Sequence, residues 1–154
     1  MPALHLGFEY DLPQKAVYEW WTDLSGTGYV GMALKSIKPI GKEGEMILVK
    51  TSWRIMSMTK TLLERLTLIS EDHWVWQPTI FGIEIIDDFR LVSVGGKTIL
   101  TIDSDMRPKG LRGKLAQMML GAMLERMMVN EWNSASEALV SEVAATSSGL
   151  RKQR

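Results

Sequence analysis

The last third of the chain carries one long helical pattern, and this feature limits the possible folds more than any other. The pattern follows Pro108 and Gly110 and runs from Leu111 to about Ala145. Within it, the segment LAQMMLGAMLERMM holds five of the eleven methionines of the chain. Because a globular domain must cover so apolar a helix, the rest of the chain has to supply a second layer of secondary structure.

The segments before that helix supply this layer as strands. Residues 3–10 alternate between apolar and other side chains, which predicts a half-buried strand, and residues 13–24 change to helical spacing. From residue 33 to residue 106, period-two segments are divided by turn signals, of which Gly95-Gly96 is the strongest and Ser57 the weakest. This order predicts an α+β fold, in which a curved antiparallel sheet of six or seven strands packs around the long C-terminal helix.

Length and composition predict one domain over residues 1–146 and a polar C-terminal tail over residues 147–154. Eighteen basic and eighteen acidic residues balance, which argues against a nucleic-acid binder that depends on counterion release. The chain has no cysteine, so it has neither a disulfide framework nor a thiolate metal site. No signal peptide and no run of about 18 apolar residues is visible. We therefore expect a cytoplasmic protein with no cofactor, no metal and no integral membrane segment.

Three segments carry a resemblance to a known family: VYEWWTDLSG in the first helix, TILTI in the last strand, and RPKGLRGKL at the start of the last helix. Together with the order of elements, they make the chain resemble the START-like superfamily, also called helix-grip or SRPBCC, over roughly Ala3 to Ala145. The polyketide-cyclase-like and pollen-allergen-like branches are the most similar. The resemblance implies a cavity between sheet and long helix that holds an apolar or amphipathic small molecule. Some branches catalyse ring closure and others bind or carry, and the resemblance assigns no catalytic residue.

Helical spacing sorts the apolar residues of the last helix into two stripes. The first runs its full length and is predicted to face the sheet: Leu111, Leu115, Met118, Ala122, Val129, Trp132, Val140 and Val143. The second lies on the other side of the N-terminal half, where Glu131 and later polar residues replace it: Leu120, Met123, Leu124, Met127 and Met128. Burying five such side chains is worth roughly 10 kcal/mol, so this stripe needs its own cover. Three covers are possible: the first helix together with the glycine-rich loop, a second subunit, or a membrane surface or client protein.

Two carboxylates fall on apolar strand faces. Glu64 shares a face with leucines of its own strand, although the opposite register would place Arg65 inside, and Asp87 shares a face with Ile85 and Phe89. If these faces line the interior, each carboxylate must be paired or neutral, because a lone buried charge is costly. Such a group can orient a ligand hydroxyl or act as a general acid or base. Alternatively, each reaches water or an arginine at a strand end.

The predicted ligand-binding residues combine aromatic, acidic and helix side chains: Tyr29, Trp53, Glu64, Trp76, Ile85, Asp87, Phe89, Met118, Met119 and Ala122. The aromatic residues can stack on a ligand or be ordinary core. Tyr29 belongs to Gly26–Gly31, which spells GxGxxG but follows a helix, so a flexible lid is favoured over a nucleotide site. The basic residues at the start of the last helix form an anion site or are solvated: Arg107, Lys109, Arg112 and Lys114. His5 and His73 lie on different strands without metal-ligand spacing.

Three hypotheses about function follow. The first is a non-catalytic binder or carrier of an apolar or amphipathic small molecule. The second is a cyclase- or dehydratase-like enzyme in which Glu64 or Asp87, the only catalytic candidates, moves a proton. The third is an interaction module, a homodimer whose interface is formed by Leu120, Met123, Leu124 and Met127.

Overall fold

The computed structural model describes residues 4–24 and 34–152, with side chains described as far as Val143. The predicted lid and its Tyr29 lie outside these residues. Within these described ranges, two helices and eight strands follow one another: β1 (Leu4–Tyr10), α1 (Gln14–Thr22), β2 (Leu34–Glu43), β3 (Met46–Ile55), β4 (Met58–Ser70), β5 (His73–Gln77), β6 (Thr79–Ile80), β7 (Ile83–Val94), β8 (Lys97–Pro108) and α2 (Gly110–Lys152).

The strands form a single antiparallel sheet, as predicted. Seven of them lie side by side in the order β1-β8-β7-β5-β4-β3-β2, and the two-residue strand β6 pairs with β7. The pairing shifts register in β2 and again near the end of β4, and such bulges bend and twist the strands that carry them. The sheet therefore curves, and the long helix α2 covers its concave side. The predicted α+β fold is confirmed.

Two of the hairpins turn through residues in the left-handed region of backbone space. Gly95 and Gly96, at φ 57° and 82°, join β7 to β8 as their strong turn signal predicts. Met56 and Ser57 join β3 to β4 with φ values of 50° and 65°. This conformation is normally left to glycine or asparagine, which explains why the sequence signal at Ser57 is weak.

Alternation along the strands places the core on the concave face. In β7 the buried residues are Ile83, Ile85, Asp87, Phe89 and Leu91, and neighbouring positions are half-buried or exposed. In β4, Glu64 and Leu66 are buried while Leu63 is exposed, which settles the register that the sequence left open. Both predicted carboxylates therefore point into the interior.

The N-terminal half of helix α2 is rotated relative to the predicted orientation, and the assignment of the stripes is wrong there, whereas Trp132 and Val143 of the first stripe pack against the core as predicted. Leu111 and Met118 of the first stripe are 74% and 83% exposed, whereas Leu124 of the second stripe is 0% exposed and packs against the sheet. The prediction failed because it counted Glu131 as a marker of the solvent side. Glu131 is half-buried and lines the space between helix and sheet.

The start of α2 is fixed by a close contact between two glycines. A Cβ atom on Gly113 would lie 2.3 Å from the carbonyl oxygen of Gly82, and Gly82 itself has a φ of +77°. The same carbonyl oxygen accepts a hydrogen bond of 2.8 Å from the backbone N–H of Lys109. The turn between β6 and β7 therefore fixes where the helix begins relative to the sheet.

The far end of α2 also differs from the prediction. The helix ends at Lys152 instead of near Ala145, so residues predicted as a separate polar tail continue it. Within the described ranges, no helix is long and apolar enough to cross a membrane.

Candidate functional site

A cavity of about 110 Å³ lies between the concave face of the sheet and α2. One wall comes from strands β2 to β7, the opposite wall comes from α2, and α1 contributes Trp21. Cavities of this order in other proteins hold a single aromatic ring. Most of its lining is apolar and includes four tryptophans and a phenylalanine: Trp21, Trp53, Trp76, Phe89 and Trp132.

Glu64 projects into this cavity from β4. Only 4% of the residue is exposed, because strand alternation turns it toward the helix. The indole N–H of Trp53 lies 3.4 Å from its carboxylate and 2.8 Å from the hydroxyl of Thr51. Burial raises the pKa of Glu64, and the hydrogen bonds from Thr51 and Trp53 oppose that shift without cancelling it.

Asp87 projects into the same cavity from β7 and is 6% exposed. Ser104 lies opposite it on β8 and donates a hydrogen bond of 2.7 Å from its hydroxyl to the Asp87 carboxylate. The pKa of Asp87 is raised to about 7. Burial is the largest cause, the hydrogen bond from Ser104 lowers the pKa, and the nearby charge of Glu64 also raises it. Near neutral pH, this carboxyl group can therefore either give or take a proton.

A third carboxylate, Glu131, lines the cavity from the helix side. The sequence-based interpretation missed it, although its spacing carries the signal: it follows Met127 by four residues and precedes Ala135 by four, and both also line the cavity. The acidic side chains that line the cavity come from three elements, β4, β7 and α2. Among the lining residues that the structure describes, none is lysine, arginine or histidine.

The predicted ligand-binding residues divide into three groups. Six of them line the cavity together: Trp53, Glu64, Trp76, Ile85, Asp87 and Phe89. Three lie on the exposed side of α2 and do not line it: Met118, Met119 and Ala122. Tyr29 lies outside the described residues. Residues that the prediction did not include complete the lining, notably Trp21, Thr51, Met127, Met128 and Trp132.

The predicted dimer interface is only partly accessible on the surface of the chain. Leu124 is fully buried within the chain, Leu120, Met123 and Met127 are half-buried, and Met127 lines the cavity. Assigning Leu124 to an interface is therefore wrong, because the sheet already covers it. The apolar face that α2 exposes is a different one: Leu111, Leu115, Met118 and Met119.

The basic residues at the start of α2 do not gather around one anion site. Lys109 pairs with Glu84 at 2.7 Å and Arg107 pairs with Asp105 at 3.0 Å, so each already has a carboxylate partner. Arg112 and Lys114 are exposed. The two histidines also pair with carboxylates, His5 with Asp103 and His73 with Asp88.

Comparison with known proteins finds similarity of structure alone. No protein-family model matches the chain, and no curated protein sequence is significantly similar. Among solved structures, the Zhui aromatase/cyclase from Streptomyces sp. R1128 superposes with a TM-score of 0.71 at 17% identity, covering 91% of this chain and 94% of that one. A START superfamily protein from Mycobacterium smegmatis gives 0.67 at 14% identity, covering 91% and 97%. Ara h 8.0201 gives 0.69 at 11% identity, covering 90% and 97%.

These three structures share the curved antiparallel sheet and the long C-terminal helix over nearly their whole length. The order of elements in this chain, the concave face and the cavity beneath α2 agree with that architecture. The chain therefore has the START-like, helix-grip fold.

Proposed function

We propose that the chain binds an apolar or amphipathic small molecule in the cavity between the sheet and α2. The observation that carries this proposal is the cavity itself, which is walled by aromatic and aliphatic side chains and contains only a few polar groups. Small-molecule sites in proteins have this composition, in which apolar walls supply affinity and a few placed polar groups orient the ligand. The solved structures that share the fold include a START superfamily protein and an aromatase/cyclase, which supports the same proposal.

A probe of one aromatic ring tests the proposal, because the cavity has room for a ring of that size. Toluene is neutral and apolar, so titration calorimetry should show saturable binding with one probe bound per chain. Ala135 is buried and lines the cavity, and Ala135→Phe fills part of that space. We expect this variant to bind the probe at least tenfold more weakly.

The matched control is Ala122→Phe, because Ala122 lies on the same helix but is exposed. This variant should bind the probe as the unaltered chain does. Far-ultraviolet circular dichroism and thermal unfolding establish that both variants are folded. Absence of saturable binding to the unaltered chain, or equal binding by the two variants, would contradict the proposal.

A second candidate function is acid–base catalysis on a bound molecule, as in a polyketide cyclase or dehydratase. The observation that favours it is the buried carboxyl group of Asp87, whose pKa of about 7 suits proton transfer near neutral pH. Asp87→Asn separates the two functions. If the chain only binds, the variant has no activity to lose. If it catalyses the aldol closure and dehydration of a reactive polyketone, the variant loses turnover at least a hundredfold, because the amide cannot exchange the proton.

A further inference from the structure

The ionisable side chains that line the cavity are all acidic, although the chain as a whole balances acidic and basic residues. The chain as a whole has eighteen basic and eighteen acidic residues. The ionisable side chains that line the cavity are Glu64, Asp87 and Glu131, with no lysine, arginine or histidine among the described lining residues. The imbalance is therefore local to the cavity and does not follow from the overall composition.

The two strand carboxylates also have no cationic partner in the part of the chain that the structure describes. Glu64 is hydrogen-bonded by Thr51 and Trp53, and Asp87 is hydrogen-bonded by Ser104. All of these donors are neutral. A buried carboxylate with only neutral donors is costly compared with one paired to a cation. A bound cation would remove that cost for both side chains together.

The walls of the cavity suit an organic cation. Trp21 and Phe89 meet at 47° with ring centroids 5.7 Å apart, and Phe89 and Trp132 meet at 86° with centroids 6.1 Å apart. Rings set at such angles form a concave aromatic wall, and the faces of tryptophan and phenylalanine attract ammonium groups. In the described ranges, no three acidic or histidine side chains converge closely enough to hold a metal ion. The carboxylates and rings together therefore favour an ammonium group carried on an apolar body.

We propose that the ligand of this cavity is an organic amine: a protonated or quaternary ammonium group on an apolar body of about the size of one aromatic ring. The proposal rests on the proposed function, since it names the ligand class of the same site. The ammonium group lies between Glu64 and Asp87, and the apolar body lies against the tryptophans.

Proton release should accompany binding. Burial raises the pKa of both strand carboxyl groups, that of Asp87 to about 7, so at neutral pH a fraction of the molecules hold a proton on Asp87. An ammonium ligand favours the ionised carboxylates and displaces that proton. Its affinity should therefore rise as the pH is raised from 6 to 8, whereas that of a neutral ligand accepting a hydrogen bond from the carboxyl group should fall. Glu131 is the other acidic side chain that faces the cavity, from α2.

Three one-ring compounds of nearly equal size test the proposal by titration calorimetry: 2-phenylethylamine, 2-phenylethanol and the phenylacetate anion. At pH 8 we expect the amine to bind at least tenfold more tightly than the alcohol, and phenylacetate at least tenfold more weakly than the alcohol. The ratio of amine to alcohol affinity should increase at least threefold between pH 6 and pH 8.

Two variants test whether Glu64 and Asp87 cause the preference for the amine over the alcohol. Glu64→Gln and Asp87→Asn should each bring the ratio of amine to alcohol affinity at pH 8 toward one, and either suffices if the other fails to fold. Asp105→Asn is the matched control, because Asp105 pairs with Arg107 outside the cavity, and it should leave the ratio unchanged. If the alcohol binds as tightly as the amine, the inference about amines is overturned and the proposed function stands. If none of the three compounds binds, the proposed function fails with it.

Discussion

Asp87→Asn should make the chain more stable at pH 8 while leaving its stability at pH 5 nearly unchanged. The pKa of Asp87 is about 7 in the folded chain, compared with its ordinary value of 3.8. At pH values between these two pKa values, the folded chain binds more protons than the unfolded chain. The free energy of unfolding therefore falls as the pH rises from about 4 to about 7, by up to roughly 4 kcal/mol from this group.

Asparagine removes this dependence, because its side chain is neutral at every pH and its amide oxygen can still accept the hydrogen bond from Ser104. Its amide N–H groups lack a full set of acceptors, which offsets part of the gain. We expect a net increase of about 2 kcal/mol at pH 8, measured by urea unfolding.

Asp105→Asn is the control for this experiment. Asp105 is partly exposed and pairs with Arg107 at the surface, where such a pair contributes less than about 1 kcal/mol. Its substitution should change stability by nearly the same small amount at pH 5 and at pH 8. If Asp87→Asn behaves in the same way, Asp87 is ionised and solvated at both pH values, and the description of the cavity as a buried acidic site is wrong.

Gly113→Ala should destabilise the chain by about 3 kcal/mol, because the added methyl group would overlap backbone atoms. A Cβ at this position lies 2.3 Å from the carbonyl oxygen of Gly82 and 3.2 Å from the carbonyl carbon of Pro108. Neither is the flexible end of a side chain, so the start of α2 must move away from the turn between β6 and β7. The thermal midpoint should fall by about 10 °C for a chain of this size.

Gly121→Ala is a matched control with the opposite expected sign. Gly121 belongs to the same helix, and a Cβ there would meet only the side chain of Gln117, at an ordinary 3.6 Å. Replacing a helical glycine by alanine without a clash stabilises a helix by up to about 1 kcal/mol. Equal effects of the two substitutions would show that helix propensity governs both positions and that the contact between Gly113 and Gly82 does not fix the helix.

The inward carboxylates could be predicted from the sequence, and the rotation of α2 could not. A strand has only two faces, so one buried neighbour such as Phe89 is enough to assign Asp87 to the interior. A helix offers a continuous range of rotations, and two apolar stripes in its N-terminal half give two plausible orientations. The choice between them depended on Glu131, an acidic residue that nevertheless lies on the cavity side.

Contacts between distant parts of the chain also could not be predicted from the sequence. The approach of Gly82 to Gly113 joins a turn to a helix, and neither glycine alone indicates its partner. The turn at Met56 and Ser57 was weakly marked for another reason, since neither residue prefers the left-handed backbone conformation that the hairpin imposes. Alternation, turn chemistry and element order were enough for the fold, whereas the shape of the cavity depends on the packing of α2.

Nuclear magnetic resonance of the chain titrated with 2-phenylethanol tests the central claim most directly, because the signals to compare lie on known sides of the structure. A ligand in the cavity should shift the indole N–H signals of Trp53 and Trp76 and the methyl signal of Met128, all of which line it. The methyl signals of the exposed Met118 and Met119 should stay in place. Shifts confined to Met118 and Met119, with the cavity signals unmoved, would contradict the account.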